Sequence, residues 1–202
     1  MFFTPDSAHG SFVVHFTNNP AADFGIWARG YSEAAGRLTE SLLAEQSFGD
    51  NKAYPVVFLY RHALELYLKG VIIGGNQLAV LRDEDELCEQ LKSHHRLPSL
   101  FEAARRLLEG SFPQDSDLHE FMRKLKVVVT DLDAVDPGSF NFRYPVNKSS
   151  ERPVEGRMTM SLISLGRTMT EILEAFGSID TALQVECDAA EEALSCLYHD
   201  EQ

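Results

Sequence analysis

The segment Tyr54–Gly74 is apolar nearly throughout, yet its middle carries four ionisable side chains. On an α-helix successive residues turn by about 100°, which places these four side chains within an arc of roughly 100°. Apolar residues fill the rest of the circumference, so the segment is predicted to be a helix that is buried on nearly every side. The four ionisable residues on its polar stripe are Arg61, His62, Glu65 and Lys69.

A charged stripe on a buried helix needs partners, because an unpaired buried charge is costly or changes its protonation state. One interpretation is functional: the cations bind an anionic ligand, and Glu65 orients Arg61. The other is structural, since Arg61–Glu65 and Glu65–Lys69 both have the i,i+4 spacing of helix salt bridges. The two interpretations are compatible, and the sequence leaves both open.

The 202-residue chain is expected to form one domain, residues 1–202. Its 31 acidic and 18 basic residues give a formal net charge of −13. Non-specific binding to nucleic acid requires a surplus of Lys and Arg that displaces counterions from phosphates. A broad nucleic-acid surface is therefore excluded, whereas a local basic pocket for a nucleotide or an RNA end is not.

Localisation is expected to be cytoplasmic, with no membrane contact. Residues 1–10 lack the basic and apolar stretches of a signal peptide, and four ionisable residues argue against a membrane span in Tyr54–Gly74. Three cysteines without C-x-x-C spacing fit free thiols in a reducing compartment. Glycine-rich phosphate motifs and zinc-like spacings are missing as well, so no cofactor and no metal are expected.

Apolar residues recur at helical spacing in five segments and predict a helix in each. A further short acidic helix is expected over residues 83–91, and residues 11–17 favour a short strand. Gly74-Gly75 is expected to end the charged helix, and Gly177-Ser178 to break or kink the last one. The sum is an all-α helical bundle of five or six helices with a short N-terminal extended segment, residues 1–20. The five segments are 21–46, 54–74, 97–109, 117–133 and 158–195.

Residues 136–157 contain three prolines and two glycines, which excludes a long helix or a central strand. Such long irregular connections are usually functional or disordered, and aromatic residues favour order here. Arg143, between Phe142 and Tyr144, is expected to reach into the bundle. There it either binds a carboxylate or phosphate of a ligand or neutralises Glu65 or another acid. The other acids considered are Asp131, Asp133 and Asp136.

His94 and His95 precede a predicted helix start, where histidine transfers protons, binds metal or, more commonly, caps and packs. Adjacent histidines in an extended segment point apart, and no Cys or carboxylate lies at zinc-like spacing, so no metal site is predicted. His95 and His62 remain candidate acid–base groups, and Arg143 is the candidate that stabilises charge on a phosphorane.

Three motifs, taken in order over about residues 50–180, resemble bacterial HEPN-type proteins, the nucleotide-binding domains of higher eukaryotes and prokaryotes. R-H-x-x-E-L-x-L-K over Arg61–Lys69 is similar to their second helix. H-x-L-x-x-L from His95 and S-F-x-F-R-Y-P over Ser139–Pro145 are similar to later segments of such proteins. The resemblance implies a helical bundle, usually a homodimer, often from toxin–antitoxin or phage-defence loci. Many members are metal-independent ribonucleases with an Arg-x4-6-His motif, and no Arg of this chain has that spacing.

The leading hypothesis is a HEPN-like, non-catalytic binding module that engages an anionic ligand, such as a nucleotide or RNA end, or a protein partner. One alternative is a divergent ribonuclease with a composite site of His62, His95 and Arg143. Another is a purely structural assembly protein, in which the charged stripe only specifies packing. All three require the stripe to face inward and to meet the loop after residue 136. The candidate ligand-binding residues are Arg61, His62, Glu65, Lys69, Arg143 and Tyr144.

Overall fold

The computed structural model describes residues 16–45, 50–84, 95–146 and 159–200, and it is all-α over these ranges. The prediction of an all-α bundle is therefore confirmed. The expected strand over residues 11–17 and the acidic helix over 83–91 lie almost entirely outside the described residues. The helices are α1 (Pro20–Ala44), α2 (Ala53–Leu81), α3 (Leu97–Ser111), α4 (Ser116–Val135) and α5 (Leu162–Asp200), with a 3-10 turn at Asp50–Lys52 before α2.

Helix starts follow the local sequence. The side chain of Asn19 accepts a hydrogen bond from the Ala22 backbone N–H at 3.2 Å, and Pro20 occupies the first helical position of α1. The side chain of Asp115 caps α4 in the same way, accepting from the Leu118 N–H at 2.9 Å. Such caps satisfy backbone donors that have no partner within the helix, so they fix where α1 and α4 begin.

The predicted helix end at Gly74-Gly75 is wrong, because α2 continues to Leu81. Gly75 serves close packing instead, because a Cβ there would lie 2.9 Å from Cβ of Leu107 in α3, whereas one on Gly74 would make an ordinary contact at 3.6 Å with Leu183 in α5. The predicted break at Gly177-Ser178 is also wrong, since α5 is one continuous helix. Tertiary packing outweighs the intrinsic cost of about 1 kcal/mol per helical glycine.

The central element is α2, which packs against α1, α3 and α5. Its Gly70 lies against Ala21 at the start of α1 and its Tyr60 lies against Gly36 further along α1, so α1 and α2 run antiparallel. Tyr67 stacks on Phe176 at 5.1 Å between ring centroids, and Gly74 meets α5 further along, so α5 runs parallel to α2. Despite its apolar character α2 does not qualify as a membrane span, and neither does any other helix within the described ranges.

Candidate functional site

Three of the four stripe residues are buried in the bundle: Arg61, Glu65 and Lys69 have relative exposures of 0%, 1% and 7%. Arg61 donates from Nη1 to Glu65 Oε2 at 3.1 Å, and Lys69 donates from Nζ to Glu65 Oε1 at 2.8 Å. Both i,i+4 pairs required by the structural interpretation are formed. The carboxylate of Glu65 therefore holds two buried cations in place.

Arg61 also ties together three segments of the chain. Its Nη2 donates to the backbone carbonyl of His95, just before α3, at 2.9 Å. Its Nε donates to the backbone carbonyl of Asp136, just after α4, at 3.2 Å. The same Nε lies 3.2 Å from Asp136 Oδ2, an ionic contact in which no N–H points at the oxygen. The predicted contact between the stripe and the loop after residue 136 thus exists, and Asp136 makes it.

His95 connects this buried cluster to the surface. Its side chain is 64% exposed, while its Nδ1 lies 2.7 Å from Glu65 Oε1. Burial raises the pKa of Glu65, but hydrogen bonds from Lys69 and His95 outweigh burial and leave this pKa below its usual value. Glu65 is consequently a carboxylate at neutral pH, and its two oxygens accept hydrogen bonds from three partners.

His62 lies at the edge of the stripe and is only half-buried. Its ring stacks on Phe58 at a centroid distance of 5.5 Å and meets Tyr31 edge-on at 4.6 Å. Desolvation lowers the pKa of His62, the nearby Lys69, Arg143 and Arg61 lower it further, and Glu65 opposes them. His62 is therefore neutral at physiological pH and has a nitrogen that can accept a proton.

The loop after α4 is held by the fully buried Asp136. Asp136 Oδ1 accepts from the backbone N–H groups of Phe140 at 2.8 Å and Asn141 at 3.0 Å, and the Asn141 side chain donates to the Val135 carbonyl at 2.6 Å. Ser139 has a left-handed φ of +60° and is buried. A non-glycine residue in this region costs about 1–2 kcal/mol, so the loop conformation is enforced by its surroundings.

Arg143 is exposed on the outer side of this loop. Its Nε donates to the Ser139 carbonyl at 2.6 Å, and its guanidinium carbon lies 5.1–5.6 Å from the ring centroids of three aromatic residues. The prediction that Arg143 reaches into the bundle is wrong, because Glu65 and Asp136 are instead met by Arg61. The three aromatic residues around its guanidinium are Phe58, Phe140 and Tyr144.

We call the resulting surface the aromatic–cation patch. It joins the candidates His62, Arg143 and Tyr144, whereas Arg61, Glu65 and Lys69 lie beneath it and His95 is linked to it through Glu65. Sequence reasoning missed three members, Tyr31, Phe58 and Phe140; Phe58 was detectable because it precedes His62 by four positions on α2. The patch consists of Tyr31, Phe58, His62, Phe140, Arg143 and Tyr144.

Comparison with known proteins yields no match. No family model fits the chain, and neither a curated protein nor a solved structure is significantly similar to it. The class of protein is thus defined by the fold and the site together: an acidic five-helix bundle, over the residues described, with a buried ionic cluster beneath an exposed aromatic–cation patch.

Proposed function

We propose that this chain is a HEPN-like, non-catalytic module that binds an anionic ligand with a planar group, such as a nucleotide or an RNA end, at the aromatic–cation patch. The observation that carries the proposal is Arg143, an exposed residue whose guanidinium lies beside three aromatic rings. Guanidinium groups match phosphate oxygens in geometry and charge. Aromatic rings beside them provide faces on which a base stacks, at about 1–3 kcal/mol per base.

The fixed loop supports a binding role for the patch. A left-handed Ser139 is retained although it is unfavourable, and such retained strain is concentrated at functional sites. Asp136 and Arg61 hold the loop from beneath. Since Arg143 is already oriented by its bond to Ser139, little side-chain entropy is lost when a ligand binds.

The charge distribution limits the size of the ligand. The chain as a whole carries −13 and repels a long polyanion, while the patch offers one exposed arginine beside a neutral histidine. A mononucleotide or the end of an RNA strand fits this arrangement better than a duplex. The resemblance of the three ordered sequence motifs to HEPN-type proteins supports a further part of the proposal. We propose on that basis that the chain forms a homodimer and acts in a toxin–antitoxin or phage-defence system.

Equilibrium binding of a panel of mononucleotides and short RNAs with terminal phosphates tests this function. We expect Arg143→Ala to weaken binding roughly 10- to 100-fold, because a hydrogen-bonded charge contact contributes about 1.5–3 kcal/mol. Arg123→Ala is the matched control, since Arg123 is 75% exposed on α4 and lies outside the patch. Wild-type protein that binds no member of the panel at millimolar concentration removes the ligand proposal and leaves only the protein-partner form.

A divergent, metal-independent ribonuclease is the second candidate, favoured by one observation: His62 and Arg143 contact the same Phe58 ring. A neutral His62 has the protonation state of a general base, and Arg143 is placed to stabilise phosphorane charge. RNA cleavage in the presence of a chelator, lost in His62→Gln and Arg143→Ala and retained in Arg123→Ala, distinguishes this enzyme from the binding module. Intact RNA after prolonged incubation with wild type rejects it.

A further inference from the structure

A second surface lies at the other end of α4, away from the aromatic–cation patch. The first half of α4 and the middle of α5 border an apolar groove of about 330 Å³, all of it within the described residues. We call it the α4–α5 groove. Its largest floor side chains, Phe112, Phe121 and Ile179, are each only partly buried, so they keep apolar surface in contact with water.

The groove is a consequence of how α4 and α5 meet. They run antiparallel and touch where Phe121 packs edge-on against Phe176 at 5.4 Å and Lys124 approaches Glu171 at 3.4 Å. Beyond that contact α5 presents Ala175, Ser178 and Ala182, which are too short to reach α4. A shallow channel between two helices remains, and its floor positions on α5 follow the spacing of three and four that another helix recognises.

The rim of the groove is acidic. Asp115 and Asp117 line it on the α4 side, and Glu171 of α5, which Lys124 approaches, lies where the two helices touch. After Arg167 the sequence contains no lysine or arginine at all, so every permanently charged side chain on this part of α5 is negative. Charge complementarity therefore selects a basic occupant, and it disfavours a second copy of this chain, whose own acidic rim would face the first.

We infer that the α4–α5 groove docks a basic amphipathic helix of a partner protein. Two or three apolar anchors of that helix cover Phe112, Phe121 and Ile179, and its Lys and Arg side chains lie over the acidic rim. Helices pack about 8–10 Å apart, so a third helix set over a channel between two others reaches the floor with ordinary side chains. This surface is separate from the patch and does not depend on its ligand.

The probe is a fluorescent helix-forming peptide of leucine and lysine with one apolar and one basic face, and binding is followed by anisotropy. A peptide of the same composition in scrambled order is the charge-matched control. We expect the amphipathic peptide to bind wild type at least about tenfold more tightly than the scrambled one, since apolar anchors rather than charge alone provide the affinity. Equal affinity for the two peptides, or no binding, overturns the proposal.

Variants locate the binding on the groove. Ile179→Lys and Ser178→Lys place a cation on its α5 side, and we expect each to weaken the amphipathic peptide about tenfold. Ile163→Lys is the matched control on the same helix, because Ile163 is 63% exposed and lies outside the groove. Ser178 is exposed, so its variant keeps the test valid should Ile179→Lys fail to fold. Equal losses in Ser178→Lys and Ile163→Lys contradict docking at this groove.

Sedimentation decides between a partner helix and a second copy. Ser178→Lys is expected to leave the oligomeric state of the chain unchanged. A wild-type dimer that Ser178→Lys, but not Ile163→Lys, converts to monomer would show that the groove is filled by another copy of this protein, and the partner proposal would then be wrong.

Discussion

Residues in the buried cluster balance one another: Arg61 and Lys69 are matched by Glu65 and Asp136. Such groups are individually costly to bury, and their mutual attraction compensates only while each partner is present. Glu65 is the most connected of them, because it accepts from Arg61, Lys69 and His95. Loss of its charge leaves two buried cations facing one remaining carboxylate.

We therefore expect Glu65→Gln to lower the free energy of unfolding by about 3–5 kcal/mol, the range found when one member of a buried ion pair is removed. Urea denaturation measures the change. Glu33→Gln is the matched control, since Glu33 also lies at i,i+4 to an arginine but on an exposed surface, where the expected effect is under about 1 kcal/mol. Equal losses in the two variants would show that the cluster contributes no more than a surface pair.

His62 links stability to pH. Desolvation first, and then Lys69, Arg143 and Arg61, place its folded pKa below the ordinary 6.5, against the opposing effect of Glu65. The unfolded chain then binds a proton more readily than the folded one, so protonation of His62 favours unfolding. The contribution of neutral His62 to the free energy of unfolding is fully present above pH 6.5. It is lost as the pH falls from there toward the lowered pKa of the folded state.

Urea unfolding of wild type and His62→Gln at pH about 7.5 and about 5.5 isolates this contribution, because the other titrating groups are common to both proteins. We expect wild type to lose more stability between the two pH values than His62→Gln does. Identical pH dependence in the two proteins, or a larger loss in His62→Gln, contradicts the lowered pKa.

Helices α2 and α5 each contain a glycine at which the sequence predicts an end or a break, yet both helices continue through it. The two residues are Gly75 and Gly177. Their surroundings differ. A Cβ on Gly75 would lie 2.9 Å from Cβ of Leu107, whereas one on Gly177 would meet open space. The first glycine is required by the α2–α3 approach, and the second only lowers helix propensity.

The two glycines predict opposite results for the same substitution. Gly75→Ala must push α3 away from α2 and is expected to destabilise the protein by about 1–3 kcal/mol, the usual cost of overpacking. Gly177→Ala adds helix propensity without a clash and is expected to stabilise it by up to about 1 kcal/mol. Thermal and urea unfolding measure both; shifts of the same sign would contradict the packing argument.

Periodicity is enough to predict the helices and their all-α arrangement, because a repeat of 3.6 residues depends only on which face is buried. It also places Arg61, Glu65 and Lys69 inside, since apolar neighbours surround them in sequence. The end of α2 is mispredicted because Gly74-Gly75 resembles a termination signal until Leu107 and Leu183 are known to lie against it. Packing between residues far apart in the chain cannot be predicted from the local sequence pattern.

The outward direction of Arg143 has no such sequence signal. It results from Asp136, whose carboxylate binds the loop backbone while Arg61 holds it from below. The contact of Arg61 with Asp136 joins residues 75 positions apart in the chain, and the local sequence around Arg143 is equally compatible with an inward-pointing arginine. Phe58 was missed for a different reason. From sequence, an aromatic residue on a strongly apolar helix is assigned to the core, and only the structure shows the loop of Arg143 beside it.

On the scale of the whole molecule, α4 separates two surfaces of opposite character. Its C-terminal end leads through Asp136 into the loop of the aromatic–cation patch, and its N-terminal half borders the acidic α4–α5 groove. The aromatic–cation patch suits an anion, and the α4–α5 groove suits a basic helix. The two proposed ligands would therefore bind at separate sites on the same bundle. Mutations at sites that share no contacts usually contribute additively to free energy.

The two sites are therefore expected to be independent. Arg143→Ala should leave the affinity for the amphipathic peptide within about twofold of wild type, and Ser178→Lys should do the same for the nucleotide or RNA ligand, because additivity over such distances holds within about 0.3–0.5 kcal/mol. Each variant thereby serves as the folding control for the other site. Titration of the peptide in the presence of saturating ligand gives the direct measurement of coupling. A change of about tenfold or more in either affinity would mean that α4 transmits a structural change between its ends, and the picture of two independent surfaces on a rigid bundle would have to be abandoned.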